Sequence, residues 1–307
     1  MTVVGIGQCS LDYLALVDKY PHADIKKEVI EWHEQGGGPV ATALVSLSRL
    51  GVQCRFYGVT GDDDAGEKIR ESLKKEGINV RNLIRREQSH SQLAFIVIDK
   101  QTAQRTIFWT RLSGKPLMKK ELGTAFLKGS HFLLLDGLMK NVSLHAAERA
   151  KALNIPIMLD AGRARPGMLR IAGLSDYLVA SEEFAKDLGW NLNKKTLKNE
   201  KERLGLKILT VTMGKRGSIT ISERLAFHTP SFKIRAVDTT GAGDVFHGGY
   251  IYGLLHGWDI KNTVRFATAL AAMKCMKIGG RAGIPTLRKV MKFLKEKGHN
   301  SYGYTYQ

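Results

Sequence analysis

The sequence contains few cysteines, and they stand far apart. Only three of the 307 residues are cysteine, namely Cys9, Cys54 and Cys275, and no two of them form a Cys-x-x-Cys pair. An odd, widely spaced set fits neither a disulfide framework nor a zinc site. We therefore expect reduced thiols in a cytoplasmic protein.

Long apolar runs and a basic leader are also missing. No stretch is apolar enough to cross a membrane, although a hydrophobic fraction of 43% supports a substantial core. The chain opens on Met1–Gly7, whose valines and isoleucine are typical of a strand and not of a signal peptide. We expect no membrane partner.

Acidic residues are scarce relative to basic ones. There are 29 Asp and Glu against 47 Lys and Arg, which gives a net charge of +18. The basic residues are dispersed with acids between them, as in segments 68–75 and 194–207, and no basic stripe carries interleaved aromatics. This pattern favours an anionic small substrate over nucleic acid. A nucleic-acid-binding protein remains the alternative from another class.

A dinucleotide-binding fingerprint is incomplete near the start of the chain. Gly5 and Gly7 follow a strand pattern, but Cys9, Ser10 and Leu11 stand where a third glycine and a helix are needed. The mismatch disfavours a dinucleotide oxidoreductase. Asp12 is then either a turn residue or a cleft carboxylate that accepts hydrogen bonds from sugar hydroxyls.

Strand and helix patterns alternate from about residue 120 onward. Apolar strand patterns fall at 131–136, 156–160, 177–180 and 207–213, with helical patterns between them, which predicts a parallel sheet covered on both faces. Ligands of such sheets gather at the carboxyl ends of the strands. Strand-like runs without helices, within about 13–35 and 90–112, predict a small separate sheet that acts as a lid. We expect a single domain over 1–307.

The segment Asp238–Asp244 carries the clearest chemical signal. The amides of Gly241, Ala242 and Gly243 would lie at a helix N-terminus, where free N–H groups and the helix dipole favour an anion. Asp244 follows in the first turn, where its carboxylate could accept a hydroxyl proton. This pairing indicates phosphoryl transfer to an alcohol. An ordinary glycine turn before a helix with an N-terminal acid is the alternative.

Three further glycine-rich segments permit a close approach to a ligand or simply reverse the chain. They are Gly36–Ala43, Val211–Gly217 and Gly279–Gly283.

The order and spacing of these motifs resemble the ribokinase-like, or PfkB, family of ATP-dependent carbohydrate kinases. The resemblance covers about residues 3–295, and its most specific part is Asp238–Gly249. It implies a three-layer α/β/α sandwich with a mostly parallel central sheet and a small β-sheet lid. It also implies Mg²⁺ and ATP as cofactors, a sugar substrate, and a homodimer formed through the lid.

The resemblance assigns roles by position. Asp244 matches the catalytic base, and Gly241, Ala242 and Gly243 match the anion hole. The positions that match the sugar site are Asp12, Gly37, Gly38 and Thr42. Those that match the nucleotide site are Thr212, Gly214, Gly217 and Gly280. Asp238 and Thr240 match a site for a monovalent cation, K⁺.

The chain departs from the family pattern at three positions. Thr42 and His247 stand where asparagine is common, and Ser181-Glu-Glu-Phe184 replaces an Asn-x-x-Glu segment, which leaves Glu182 as the candidate Mg²⁺ ligand. Segment 11–21 is similar to ketohexokinases, and segments 36–43 and 279–285 are similar to bacterial sulfofructose kinases. Both groups phosphorylate ketoses, so the resemblance favours a ketose or ketose derivative as substrate. A nucleoside kinase of adenosine-kinase type is the alternative within the family.

Overall fold

The computed structural model describes residues 1–299. The strands in this range are β1 Thr2–Ile6, β2 Ser10–Val17, β3 Glu31–Gly37, β4 Gln53–Gly61, β5 Asn79–Arg86, β6 Leu93–Asp99, β7 Arg105–Trp109, β8 Phe132–Leu135, β9 Ile157–Ala161, β10 Tyr177–Ser181, β11 Ile208–Thr212, β12 Ser218–Ile221 and β13 Ala226–Thr229. The helices are α1 Pro39–Arg49, α2 Asp64–Lys75, α3 Lys140–Ala152, α4 Met168–Ala172, α5 Glu182–Asp187, α6 Lys194–Arg203, α7 Ala242–Leu255, α8 Ile260–Lys274 and α9 Leu287–Glu296.

The larger sheet has the strand order β13-β12-β11-β10-β9-β8-β1-β4-β5. Its strands from β11 to β5 run parallel, and β12 and β13 add an antiparallel edge. The predicted mostly parallel sheet is confirmed. Strand β5 was not predicted from the sequence, because only Val80 and Leu83 of this charged edge strand are buried apolar residues.

Helices cover both faces of this sheet. One apolar core joins Phe56 of β4 to residues of α1, α2, α7, α8 and α9. The second core joins Leu133 of β8 to residues of α3, α4, α5 and α6. Each fully buried large apolar side chain stabilises the fold by roughly 1.5–3 kcal/mol. The three-layer α/β/α architecture is therefore confirmed.

The smaller sheet, here called the lid sheet, has the order β3-β2-β6-β7. Leu14, Leu16, Ile96 and Ile98 are buried on one of its faces against Ile278. Its strands fall in the predicted regions, but β2 begins at Ser10. Asp12 consequently lies within a lid strand and not at the end of a strand of the larger sheet.

Helix α7 packs very closely against its neighbours. A Cβ atom added to Gly248 would lie 1.7 Å from Ser46 Oγ of α1, and one added to Gly249 would lie 2.9 Å from Ala267 Cα of α8. Glycine is therefore required for this approach. The close packing fixes the position of the α7 N-terminus, where Asp244 stands.

All three cysteines are buried and unpaired, as expected. Within residues 1–299 there is no helix with the length and apolar character needed to span a membrane.

Candidate active site

The main-chain turn at residues 238–241 leads directly into α7. Gly241 adopts a left-handed conformation with φ of 71°, and a Cβ there would lie 2.9 Å from Gly280 Cα. The amide of Ala242 donates to the carbonyl of Thr239 at 3.2 Å. The first amides of a helix lack intrahelical acceptors, so Gly243 and Asp244 present donors to an incoming anion.

Asp244 lies in the first turn of α7 and is partly exposed to the cleft. Burial raises the pKa of its carboxyl to about 8, and the charge of Asp160 adds to this rise. The nearby His247 and Arg105 lower the same pKa, while Asp12 raises it. A carboxyl whose pKa lies near the working pH is suited to general-base catalysis.

A second acidic group stands at the carboxyl ends of β8 and β9. Burial raises the pKa of Asp136 and of Asp160 to about 7. Asp136 accepts hydrogen bonds from the amides of Gln8 and Leu138, at 2.7 and 3.0 Å. Asp160 acts on both Asp136 and Asp244 through its charge, and this proximity depends on the sheet order and on no local sequence pattern.

His247 connects this acidic group to α7. Its Nε2 lies 3.4 Å from Asp160 Oδ1 and 3.2 Å from the Val179 carbonyl, and its Nδ1 lies 2.7 Å from the Gly243 carbonyl. Burial lowers the pKa of the His247 imidazole, while the contacts with Gly243 and Val179 oppose that change. The ring thus positions α7 against β9 and β10.

The predicted sugar-site residues lie together. Asp12 is buried, accepts a hydrogen bond from Ser10 Oγ at 2.6 Å, and has a pKa raised by burial. A Cβ on Gly37 would lie 2.1 Å from Asp12 Oδ2. Gly38 is the N-cap of α1, and its carbonyl accepts from the amide of Thr42 at 2.9 Å.

Arg281 was not predicted as a site residue, and it is buried beside this group. Its guanidinium donates to the Gly37 carbonyl at 2.8 Å and to Thr42 Oγ1 at 3.3 Å. Burial lowers its pKa to about 10, and the charge of Asp12 opposes that fall. The Thr42 hydroxyl, which stands where asparagine is common, is therefore engaged by a protein cation. Only the presence of an arginine in segment 279–283 could have suggested this contact.

The predicted nucleotide-site residues divide between two places. Thr212 ends β11 and donates from Oγ1 to the Ala180 carbonyl at 3.3 Å, and Gly214 and Gly217 flank the short turn that follows. Gly217 is buried there against the Thr229 carbonyl. Gly280, in contrast, packs behind Gly241. It therefore supports the turn that precedes the anion hole.

The carboxylates of Glu182, Asp160 and Asp244 are the candidate ligands for Mg²⁺. Glu182 forms an ion pair with Arg216, which reduces its availability as a ligand. Within residues 1–299 no group of three or more His, Cys, Asp or Glu residues could hold a metal ion. Mg²⁺ commonly needs only one or two carboxylates when it binds with substrate phosphates. Asp160 and Asp244 can supply these, so the site fits a metal that binds together with a nucleotide.

The predicted monovalent cation site is already occupied by protein groups. Asp238 Oδ1 accepts from the amide and hydroxyl of Thr240 at 2.8 and 2.7 Å, and Oδ2 accepts from the Gly279 amide at 2.7 Å. The ammonium of Lys274 donates to the main-chain carbonyl of Asp238 at 2.9 Å. The pKa of Lys274 is lowered by burial, and the charge of Asp238 opposes this. Protein groups therefore donate to both carboxylate oxygens and to the main-chain carbonyl of Asp238.

The lid sheet contacts the same turn. Arg105, the first residue of β7, donates to Thr239 Oγ1 at 3.3 Å. This contact places a cation of the lid next to the anion hole. The sequence did not identify it because 134 residues separate the two positions.

Comparison with known proteins agrees with this arrangement. The pfkB family carbohydrate kinases match residues 2–287. The chain is 26% identical over 299 residues to a ribokinase of Lactococcus lactis, and the alignment covers 97% of this chain and 98% of the relative. A nucleoside kinase of Methanothermobacter thermautotrophicus is 24% identical, with 97% of each chain covered. The fructokinase-2 of Oryza sativa is 25% identical, with 85% of each chain covered.

The fold is shared with solved structures. The crystal structure of a ribokinase from Thermotoga maritima superposes with a TM-score of 0.82 at 29% identity, covering 96% of this chain and 99% of that one. The family match spans nearly the whole described chain, from β1 to the start of α9. The protein belongs to the pfkB family of carbohydrate kinases, whose members transfer a phosphoryl group to an alcohol.

Proposed function

We propose that the protein is an ATP-dependent kinase that phosphorylates a hydroxyl of a small sugar, with Asp244 as the base. The observation that carries this proposal is the Asp244 carboxyl, with its raised pKa, in the first turn of a helix that follows the Gly241-Ala242-Gly243 turn. We assign the sugar side of the site to buried Asp12 and Gly37, and the nucleotide side to the Thr212–Gly217 turn.

The residues of the chain divide the work of the reaction. Asp12 and the main chain at Gly37 and Gly38 orient the sugar, and the lid sheet excludes water. The sugar oxygen forms a bond to the γ-phosphorus as Asp244 takes the hydroxyl proton. The bond from that phosphorus to its bridging oxygen breaks, and ADP leaves with the electron pair. The amides at the α7 N-terminus stabilise the charge on the transferring group.

Mg²⁺ bound with ATP would neutralise charge on the phosphates, and Asp160 and Asp244 would be the carboxylates available to hold it. Glu182, which is paired with Arg216, would stay outside this set.

We infer a ketose or ketose derivative as the acceptor. Support comes from the similarity of segments 11–21, 36–43 and 279–285 to kinases of ketoses, and from the fructokinase relative. The engagement of Thr42 by Arg281 favours a substrate whose contacts differ from those made by an asparagine at that position. The nucleoside kinase relative supports the second candidate, a nucleoside acceptor. An ADP-release assay with ketoses, aldoses and nucleosides in parallel separates the two.

The replacement Asp244→Asn tests the assignment of the base. We expect kcat to fall by about 10²–10⁴ because general-base catalysis is lost, while nucleotide affinity stays close to wild type. ADP release gives kcat, and calorimetric titration gives the nucleotide affinity. Asp64→Asn, at the exposed start of α2, is the matched control. Turnover of Asp244→Asn near the wild-type value would remove Asp244 from this role.

We also propose that two copies associate through the lid sheet. Trp32, Phe95 and Phe108 are 57%, 45% and 55% exposed, and Tyr13 stacks on both Trp32 and Phe95. An exposed aromatic patch of this kind is typical of an interaction surface. Trp32→Ser with Phe108→Ser should convert a dimer to a monomer in light scattering. A monomeric wild type at micromolar concentration would contradict the proposal.

A further inference from the structure

Lys274 is an unusual residue within the fold. It ends α8, its side chain is 0% exposed, and its Nζ donates to the Asp238 carbonyl at 2.9 Å. It takes part in no ion pair with the carboxylates of residues 1–299. Burying an ammonium is costly, and here the charge of Asp238 offsets part of that cost.

The surroundings of Lys274 indicate what the charge does. Asp238 begins the turn that leads to Gly241, and its amide donates to the carbonyl of Cys275, next to Lys274. Its carboxylate is occupied by Thr240 and Gly279, as described above. The ammonium thus lies against the main-chain carbonyl of Asp238, at the start of the turn. It lies at the C-terminus of α8, where the helix dipole favours positive charge.

We propose that the Lys274 ammonium is a built-in monovalent cation that positions the 238–241 turn, so that the enzyme needs no K⁺. This rests on the proposed kinase function. The ammonium has the charge of K⁺ and binds the carbonyl oxygen directly, and its covalent attachment removes the entropic cost of capturing an ion from solution. Lys274 therefore acts through the orientation of the amides at the α7 N-terminus and contacts no substrate.

Thermal unfolding tests this without any assay of activity. The wild type should give the same melting temperature in potassium chloride and in choline chloride of equal ionic strength. Lys274→Ala leaves a cavity lined by the Asp238 carbonyl, so it should melt lower and gain a potassium-specific increase. Lys277→Ala, an exposed residue three positions later, is the matched control and should show neither change. A potassium-specific increase in the wild type would overturn the proposal.

Kinetics provide the second readout. Lys274→Ala should lose about 10²-fold in kcat, the loss expected when a distant mutation misplaces catalytic groups by about 1 Å, and added potassium should restore part of that loss. Full kcat in Lys274→Ala, or a loss that potassium does not restore, would contradict the inference. If this variant does not fold, the comparison of wild-type melting temperatures in potassium chloride and choline chloride still tests the proposal. Absence of phosphoryl transfer by the wild type would refute the proposed function, whereas the melting comparison would still test Lys274.

Discussion

At the scale of single residues, the site contains buried carboxyl groups whose charges raise the pKa of their neighbours. Asp244 has a pKa raised to about 8, and Asp160 contributes to that rise. Only the ionised form of Asp244 can accept a proton from the sugar.

The rate of the enzyme should therefore depend on pH well above the ordinary range of a carboxyl group. We expect kcat/KM for the sugar to fall about tenfold per pH unit below the apparent pKa of the free enzyme. Asp160→Asn removes a neighbouring negative charge, so it should shift the acid limb to lower pH by about one unit. Profiles of kcat/KM against pH for the wild type, Asp160→Asn and the surface variant Asp64→Asn check this. An unshifted limb in Asp160→Asn would show that its charge does not act on Asp244.

At the scale of elements, two close approaches build the site. Glycines let α7 pack against α1 and α8, and Gly37 lets strand β3 approach the Asp12 carboxylate of β2. Strand β7 adds Arg105, which contacts Thr239. The lid sheet and the turn at residues 238–241 are thus joined by this polar contact.

The approach at Gly37 gives a test at this scale. In Gly37→Ala the new Cβ would overlap Asp12 Oδ2, so the carboxylate must rotate away from its sugar-binding position. We expect KM for the sugar to rise at least about tenfold, equivalent to about 1.4 kcal/mol, with nucleotide KM little changed. Gly173→Ala is the matched control, because its Cβ would make only ordinary contacts of 3.6 and 3.7 Å. An unchanged sugar KM in Gly37→Ala would show that Asp12 does not bind the sugar.

At the scale of the whole molecule, the larger sheet carries Asp160, and the lid sheet carries Asp12 and Gly37 of the proposed sugar site. This architecture buries three aspartates, and burial raises their pKa values. Asp136, Asp160 and Asp244 have folded-state pKa values of about 7, 7 and 8, whereas unfolded aspartates titrate near pH ~3.9. The folded state binds more protons than the unfolded state between these limits.

The free energy of unfolding should therefore decrease as the pH rises from about 4 to about 8 and level off above that range. The stabilisation from these carboxyls is complete below the unfolded pKa of about 3.9, and it is lost by the pH at which the folded carboxyls ionise. The slope should be of the order of 1 kcal/mol per pH unit. Buried His247 acts in the opposite direction below about pH 6.5, so urea unfolding is best compared above that value. Asp160→Asn should flatten the dependence. A free energy that rises with pH in this window would contradict the assigned burial of these acids.

The sequence by itself determined the order of the elements and the motif residues. Apolar strands between helices specified a parallel sheet, and the segment Asp238–Asp244 specified a helix start beside a carboxylate, because both depend on local spacing. The strand β5 escaped detection because an edge strand buries too few apolar residues to show a clear period.

Only the tertiary structure decided which distant residues share the site. Arg281 contacts Thr42, Asp160 approaches His247, and Lys274 contacts Asp238, across separations that no local pattern encodes. Each of these contacts depends on sheet order and helix packing. The structure also shows protein donors on the oxygens of Asp238, where the resemblance implied a monovalent cation, and it brings the Lys274 ammonium to the Asp238 carbonyl. Helix packing decides that a positive charge lies beside Asp238, because the end of α8 brings Lys274 against the turn before α7.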